Sequence, residues 1–228
     1  MFWFRDVEGK NQLLNDQFFP LATLLSRLLK EKYDGKKIQF INIDFSSEEA
    51  YKLNPVIRMN YTHYASVMGG HLRYYGVIDF KAFDKLTDID KKKFIWEKAH
   101  EYLQVASKTI KNEQLLIASE YSYKKGIEIN LNPDYRMIET DVMVHSLPMK
   151  AAVWVNFKND GMYSKLTLEK NGLIIFEKEI DKTKNGVEFF LEMYKKIEVK
   201  GNTIIVKGSK DVKYLPLRIP IDEEAIKV

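Results

Sequence analysis

One helical stretch comes nearest to a catalytic signature. Glu97-Lys98-Ala99-His100 sets a carboxylate and an imidazole one turn apart, the spacing of half a di-iron or di-manganese site. Such a site needs a second Glu-x-x-His and two further inward carboxylates, and the chain holds no second copy. The apolar stripe of Ile95, Ala99 and Ala106 also turns Glu97 and Glu101 outward and leaves His100 beyond its edge. His100-Glu101 opens like the zinc-protease sequence His-Glu-x-x-His, but Gln104 stands where the second histidine belongs. The phosphate cradle Gly-x-x-x-x-Gly-Lys-Ser/Thr, the dinucleotide fingerprint Gly-x-Gly-x-x-Gly and the Gly-x-Ser-x-Gly elbow are all absent. The chain has no cysteine, which excludes disulfides, thiol catalysis and Cys-based zinc sites. No catalytic residue, metal or cofactor is assigned.

A second constellation suits recognition better than catalysis. Gly69-Gly70 separates two β-rich runs, 56–68 and 71–80, and two glycines suit a tight hairpin turn that needs positive φ. A two-residue turn pairs Met68 with His71, Ser66 with Arg73, Tyr64 with Tyr75 and Thr62 with Val77. Tyr64, Ser66, His71, Arg73 and Tyr75 then share one face, expected to bind a partner because Tyr and Arg dominate interface hot spots. The other face, with Tyr61, His63, Ala65, Leu72 and Tyr74, is more apolar and is expected to meet the core. The competing reading is that another element packs on the first face. His63, opposite Gly76 on the apolar side, reads as a hydrogen-bonded core histidine. His145, with Asp141 or Ser146, could complete a site that nothing local demands. Trp3, Trp96 and Trp154 read first as core packing and second as interface residues.

The elements that must position these residues follow from hydrophobic period. A short strand is expected at 2–7. Leu14, Phe18, Leu21, Leu25 and Leu28 predict a helix over 11–33 that Pro20 kinks or divides. A strand is expected at 37–45, and a helical turn within 46–54. Thr87-Asp88-Ile89-Asp90 resembles a capping box, and Asn112 is expected to cap a further helix at 113–125. From 127 the period changes to two. Strands are expected at 127–131, 135–145, 150–158, 162–170 and 173–180, with Asn171-Gly172 the strongest turn. A short helix near 187–194, strands at 203–207 and 213–219, and a polar tail from 222 complete the reading. The expected class is α+β: an antiparallel C-terminal meander packed with helices, plus an N-terminal helix and hairpin. It is taken as a single domain, 1–228, with a weak seam at 81–90.

Composition narrows the function. Aromatic residues make up 13% of 228 residues, enough apolar surface to exclude intrinsic disorder. The net charge of +4 comes from lysines interspersed with acids, so no nucleic-acid stripe is visible. Met1-Phe2-Trp3-Phe4-Arg5-Asp6 lacks the basic head of a signal peptide. The apolar run Leu21–Leu29 is interrupted by Ser26 and Arg27 and falls short of the roughly 20 residues of a membrane span. The Asn60-Tyr61-Thr62 sequon is read as chance. The expectation is a non-catalytic, cytoplasmic, bacterial protein that binds a protein partner. In its concrete form it is an immunity-type protein that neutralises a toxin by occlusion. The alternatives are a hydrolase-like enzyme with a site assembled only in three dimensions, and a small-molecule carrier.

Overall fold

The protein is an α+β chain, seen here in a computed structural model that describes residues 1–7, 9–54 and 57–226, with the side chain of Met68 also outside the described set. Two compact units divide it, Met1–Pro133 and Asp134–Val228. The seam anticipated at 81–90 falls within the first.

In the first unit β1 (Phe2–Arg5) leads through α1 (Asn11–Lys30) to β2 (Phe40–Ser46) and the short α2 (Glu48–Leu53). The hairpin strands β3 (Tyr61–Ala65) and β4 (His71–Val77) follow, then α3 (Phe80–Asp84), α4 (Asp88–Thr109) and α5 (Glu113–Glu128). The strand order is β1-β2-β4-β3; β1, β2 and β4 run parallel and β3 antiparallel. The predicted apolar stripe of α1 is buried, and the helix runs continuously past Pro20. The loss of one backbone bond is outweighed by a helix whose apolar face lies in the core. Thr87 caps α4, accepting from Asp90 N, and Asn112 caps α5, accepting from Leu115 N.

The strand period decides which residues α1 and α4 meet. Phe2, Phe4, Ile43, Phe45, Leu72 and Tyr74 alternate inward and join the core with residues of α1, α4 and α5. Phe4 stacks on Phe45 at 5.1 Å, and Tyr74 stacks on Tyr102 of α4 at 4.7 Å. The Tyr102 hydroxyl donates to the Val77 carbonyl at 2.7 Å. Gly76 permits this approach, since a Cβ there would lie 2.1 Å from the Tyr102 ring.

Among its described residues the second unit holds seven strands joined by turns, loops and 3-10 turns. β5 (Tyr135–Val144), β6 (Leu147–Lys158), β7 (Gly161–Lys170) and β8 (Leu173–Thr183) form the expected antiparallel meander. β9 (Tyr194–Lys200), β10 (Thr203–Gly208) and β11 (Leu217–Pro220) form a second sheet in the order β11-β10-β9. Val153, Val155, Leu166, Leu168, Ile204 and Val206 are among its fully buried residues.

Three sequence expectations change. Residues 127–131 continue and close α5, because Leu131 N returns to the Gly126 carbonyl and Ile129 and Leu131 pack on the core. The helix expected at 187–194 is one 3-10 turn, Glu188–Leu191, followed by β9. The tail is not wholly polar: Ile226 is buried in a turn at Glu223–Ile226, and residues 227–228 lie outside the described residues. No described helix is long and apolar enough to cross a membrane.

Replacing Gly76 by Ala should lower stability by about 1–3 kcal/mol, because the new methyl must displace Tyr102 from a packed core. Urea unfolding checks this. Gly172→Ala meets nothing within 4 Å but sits at φ +80°, so its cost of about 1 kcal/mol comes from backbone strain and not from a packing clash.

Candidate functional site

The helices cover one face of the N-terminal sheet, and the other face carries the candidate site. Outward positions alternate with the buried ones: Trp3 and Arg5 on β1, Phe40, Asn42 and Asp44 on β2, His71, Arg73 and Tyr75 on β4, and Tyr61, His63 and Ala65 on β3. The register aligns them in rows. Trp3, Asp44, Tyr75 and Tyr61 form one row across the four strands, and Asn42, Arg73 and His63 form the next. Large aromatics stand in solvent here: Trp3 is 38% exposed, Phe40 57% and Tyr61 44%.

At the centre of this face Asp44 is fully buried. Arg73 grips it bidentately, Nε to Oδ1 at 3.0 Å and Nη2 to Oδ2 at 2.9 Å, and Arg5 Nε stands 3.5 Å from Oδ2. Burial pushes the Asp44 carboxyl up from its usual range, while the hydrogen bonds and charges of Arg73 and then Arg5 pull it back. The Arg73 guanidinium also lies over the Tyr75 ring, 5.1 Å from its centre. A second chain of bonds runs alongside. Trp3 Nε1 donates to Asn42 Oδ1 at 3.2 Å, and Asn42 Nδ2 meets His71 Nε2 at 2.6 Å. With its oxygen taken by Trp3, Asn42 presents its amide N–H to an unprotonated His71 Nε2.

This is not the face as the two-residue turn predicts it. His71, Arg73 and Tyr75 do point outward together. Tyr64 does not join them: it pairs with Leu72, packs against the core and donates to the Lys37 carbonyl at 3.2 Å. Ser66 lies beyond β3 at the start of a 3-10 turn, Val67–Gly69. Tyr61, His63 and Ala65 take the outward places opposite Tyr75, Arg73 and His71, so His63 is exposed and not a core histidine. The cause is the connection, which spans Ser66 to Gly70. Gly69 and Gly70 both have positive φ, but they serve close approach to the chain entering β2. Gln39 N donates to their carbonyls, and a Cβ on Gly70 would lie 2.0 Å from the Lys37 oxygen. Trp3 and Arg5 are missing from the predicted site. Their signal was the alternation Phe2-Trp3-Phe4-Arg5, which turns Trp3 and Arg5 outward once the phenylalanines point inward.

The remaining candidates go to structure. His100 Nδ1 lies 3.2 Å from Ser119 Oγ and its Nε2 3.3 Å from Glu120, while its ring stacks on Tyr123 at 4.4 Å. The set resembles a Ser-His-acid arrangement, but Ser119 is buried within α5 and no substrate carbonyl can reach it. It joins α4 to α5. His145 Nε2 donates to the Ile221 carbonyl at 2.7 Å, and not to Asp141 or Ser146. Trp96 is buried and donates to the Tyr123 carbonyl. Trp154 lies under the Arg136 guanidinium and donates to Thr167. No three His, Asp or Glu side chains among the described residues are placed to hold a metal.

A cleft of about 530 Å³ opens beside the carboxyl ends of β1, β2 and β4, lined by Asp6, Glu48, Glu49, Asp79 and Asp84 among others. Much of its polar lining has local work. Asp79 caps α3 by accepting from Ala82 N, Ser47 caps α2 by accepting from Ala50 N, and Asp84 pairs with Lys10. Comparison with known proteins gave no match to a family model, a curated protein or a solved structure.

Two outcomes follow from these charges. Arg73→Ala strips a buried carboxylate of its main partner and should cost about 3 kcal/mol near neutral pH. Without Arg73 the folded carboxyl rises further above its unfolded value of about 3.9, so the deficit against wild type should shrink as pH falls towards that value. Asp44→Ala should cost less, since Arg73 can then reach water. Urea unfolding at about pH 7.5 and about pH 4.5 tests both. For His100, burial holds the imidazole below its ordinary value, against the pull of Glu120. Its stability contribution is present above the unfolded value of about 6.5 and is lost as pH falls through the folded one. His100→Asn should therefore flatten the fall in unfolding free energy between about pH 7 and about pH 5.

Proposed function

We propose that the chain is a non-catalytic binding protein and that the uncovered face of its N-terminal sheet covers a protein partner. The observation that carries this reading is an aromatic face, Trp3, Phe40, Tyr61 and Tyr75, arranged around the half-buried Arg73 and its buried partner Asp44 and braced by side-chain bonds. Aromatic rings and arginine are enriched at the energetic centres of interfaces. A braced face loses little rotamer freedom on binding, so more of the contact energy remains as affinity. An enzyme or carrier calls for convergent polar groups in a deep pocket. In the cleft beside α2 and α3, Ser47 and Asp79 serve as helix caps and Asp84 pairs with Lys10.

Occlusion is the mechanism this surface suits. A sheet face can lie over a partner's working surface without inserting into it. The narrower form is neutralisation of a toxin in the bacterial cytoplasm, in the manner of an immunity protein. It adds a biological setting to the same contact.

Trp3→Ala and Tyr61→Ala should each weaken capture of the native partner by more than about 1 kcal/mol while leaving thermal unfolding within about 0.5 kcal/mol of wild type. Pull-down of the tagged chain from its host, quantified by mass spectrometry, is the measurement. Undiminished capture by both variants would move the contact off this face.

A further inference from the structure

Charge on the uncovered face is divided unequally between what is buried and what a partner can touch. Among the outward positions of β1 to β4 the only acid is Asp44, and it is fully buried. The accessible charged groups are therefore cationic. Arg5 is 38% exposed and reaches Asp44 through one contact of 3.5 Å. Arg73 directs Nε and Nη2 at Asp44, and its Nη1 makes no hydrogen bond among the described residues. Both guanidiniums address the same oxygen, Asp44 Oδ2, so they flank one point of the face. A guanidinium has five N–H donors, and these two have donors left over.

We infer that this face recognises a partner segment by a carboxylate side chain set among apolar or aromatic residues, the carboxylate docking at Arg73 Nη1 and Arg5 between Trp3 and Tyr75. The inference rests on the reading of this face as the partner surface and specifies the partner's chemistry. A fixed guanidinium suits the task. Asp44 holds Arg73 in one rotamer over Tyr75, so its free edge is already aimed when the carboxylate arrives. No exposed acid on the strands opposes that carboxylate.

A single-stranded nucleic acid would also stack on exposed rings. It needs cations that track a backbone, whereas here two arginines converge on one point. Beyond the carboxyl ends of the strands a phosphate chain would meet Asp6, Glu48, Glu49 and Asp79. One carboxylate fits this field better than a polyanion.

The test is selection from a random dodecapeptide phage library on the intact chain, with fluorescent oligothymidylate as a counter-probe in anisotropy. Selected peptides should be enriched in Asp or Glu flanked by apolar or aromatic residues. A synthetic copy of the leading peptide should lose about tenfold in affinity on Arg5→Gln, which leaves the Asp44–Arg73 fork intact. Changing its acidic residue to the amide should cost a similar factor on wild type and little on Arg5→Gln. Thermal unfolding confirms that the variant is folded. Neutral or basic selected peptides that Trp3→Ala abolishes would overturn this inference and leave the binding face standing. Peptides insensitive to both Trp3→Ala and Arg5→Gln, or no enrichment at all, would overturn both. Tight binding of oligothymidylate that Arg5→Gln weakens would replace the carboxylate by phosphate and overturn the inference.

Discussion

A carboxylate with no solvent contact in the middle of a solvent-facing sheet has to be held by charge. Asp44 is held by the fork of Arg73 and, more loosely, by Arg5. Removing an ionised carboxylate from water costs several kcal/mol, and a bidentate guanidinium offsets that cost only with good geometry. The geometry here comes from the backbone. Parallel pairing of β2 with β4 sets Asp44 beside Tyr75 and Asn42 beside Arg73, so the arginine reaches diagonally to the carboxylate and lies over the tyrosine ring. The order of the face follows from this pair. Asp44 fixes Arg73, Arg73 covers Tyr75, and the parallel chain through Asn42 fixes Trp3 and His71.

The opposite face explains why the sheet can carry such a surface. Phe2, Phe4, Ile43, Phe45, Leu72 and Tyr74 supply an apolar side that α1 and α4 cover, so the stability of the unit does not depend on covering the outward side. Outward residues are free to be aromatic and basic because packing does not decide them. The meander of the second unit carries more paired charge, beside exposed apolar residues such as Met143 and Leu173. There Arg136 pairs with Glu139 and the buried Glu169, and Lys165 pairs with Glu177, so the charges largely neutralise one another.

Much of this was legible in the sequence, and the exceptions have physical causes. The meander, the caps at Thr87 and Asn112, and the amphipathic first helix all follow from local period and turn chemistry. The outward set His71, Arg73 and Tyr75 follows from alternation along one strand, which needs no partner. The identity of the facing strand's residues does not. It depends on loop length, and Gly69-Gly70 mimic a two-residue turn while serving contact with Lys37 and Gln39, which is long-range information. An odd shift in register exchanges faces, so Tyr64 gave its place to Tyr61 and His63. The contribution of Trp3 and Arg5 depends on parallel pairing of β1 with β2, which no local pattern encodes. Residues 127–131 misled for a related reason: an alternating sequence at a helix end satisfies its backbone by helical closure when the core is already beneath it.

On the function proposed above, a partner sits on the uncovered face of the N-terminal sheet. Hydroxyl-radical footprinting of the tagged chain, free and in complex with the host component it captures, reads that surface ring by ring. Protection concentrated at Trp3, Phe40, Tyr61 and Tyr75, with Trp154 and Tyr163 of the meander unchanged, is the result predicted. Protection confined to the meander, or full reactivity of Trp3 and Tyr61 in the complex, would contradict it.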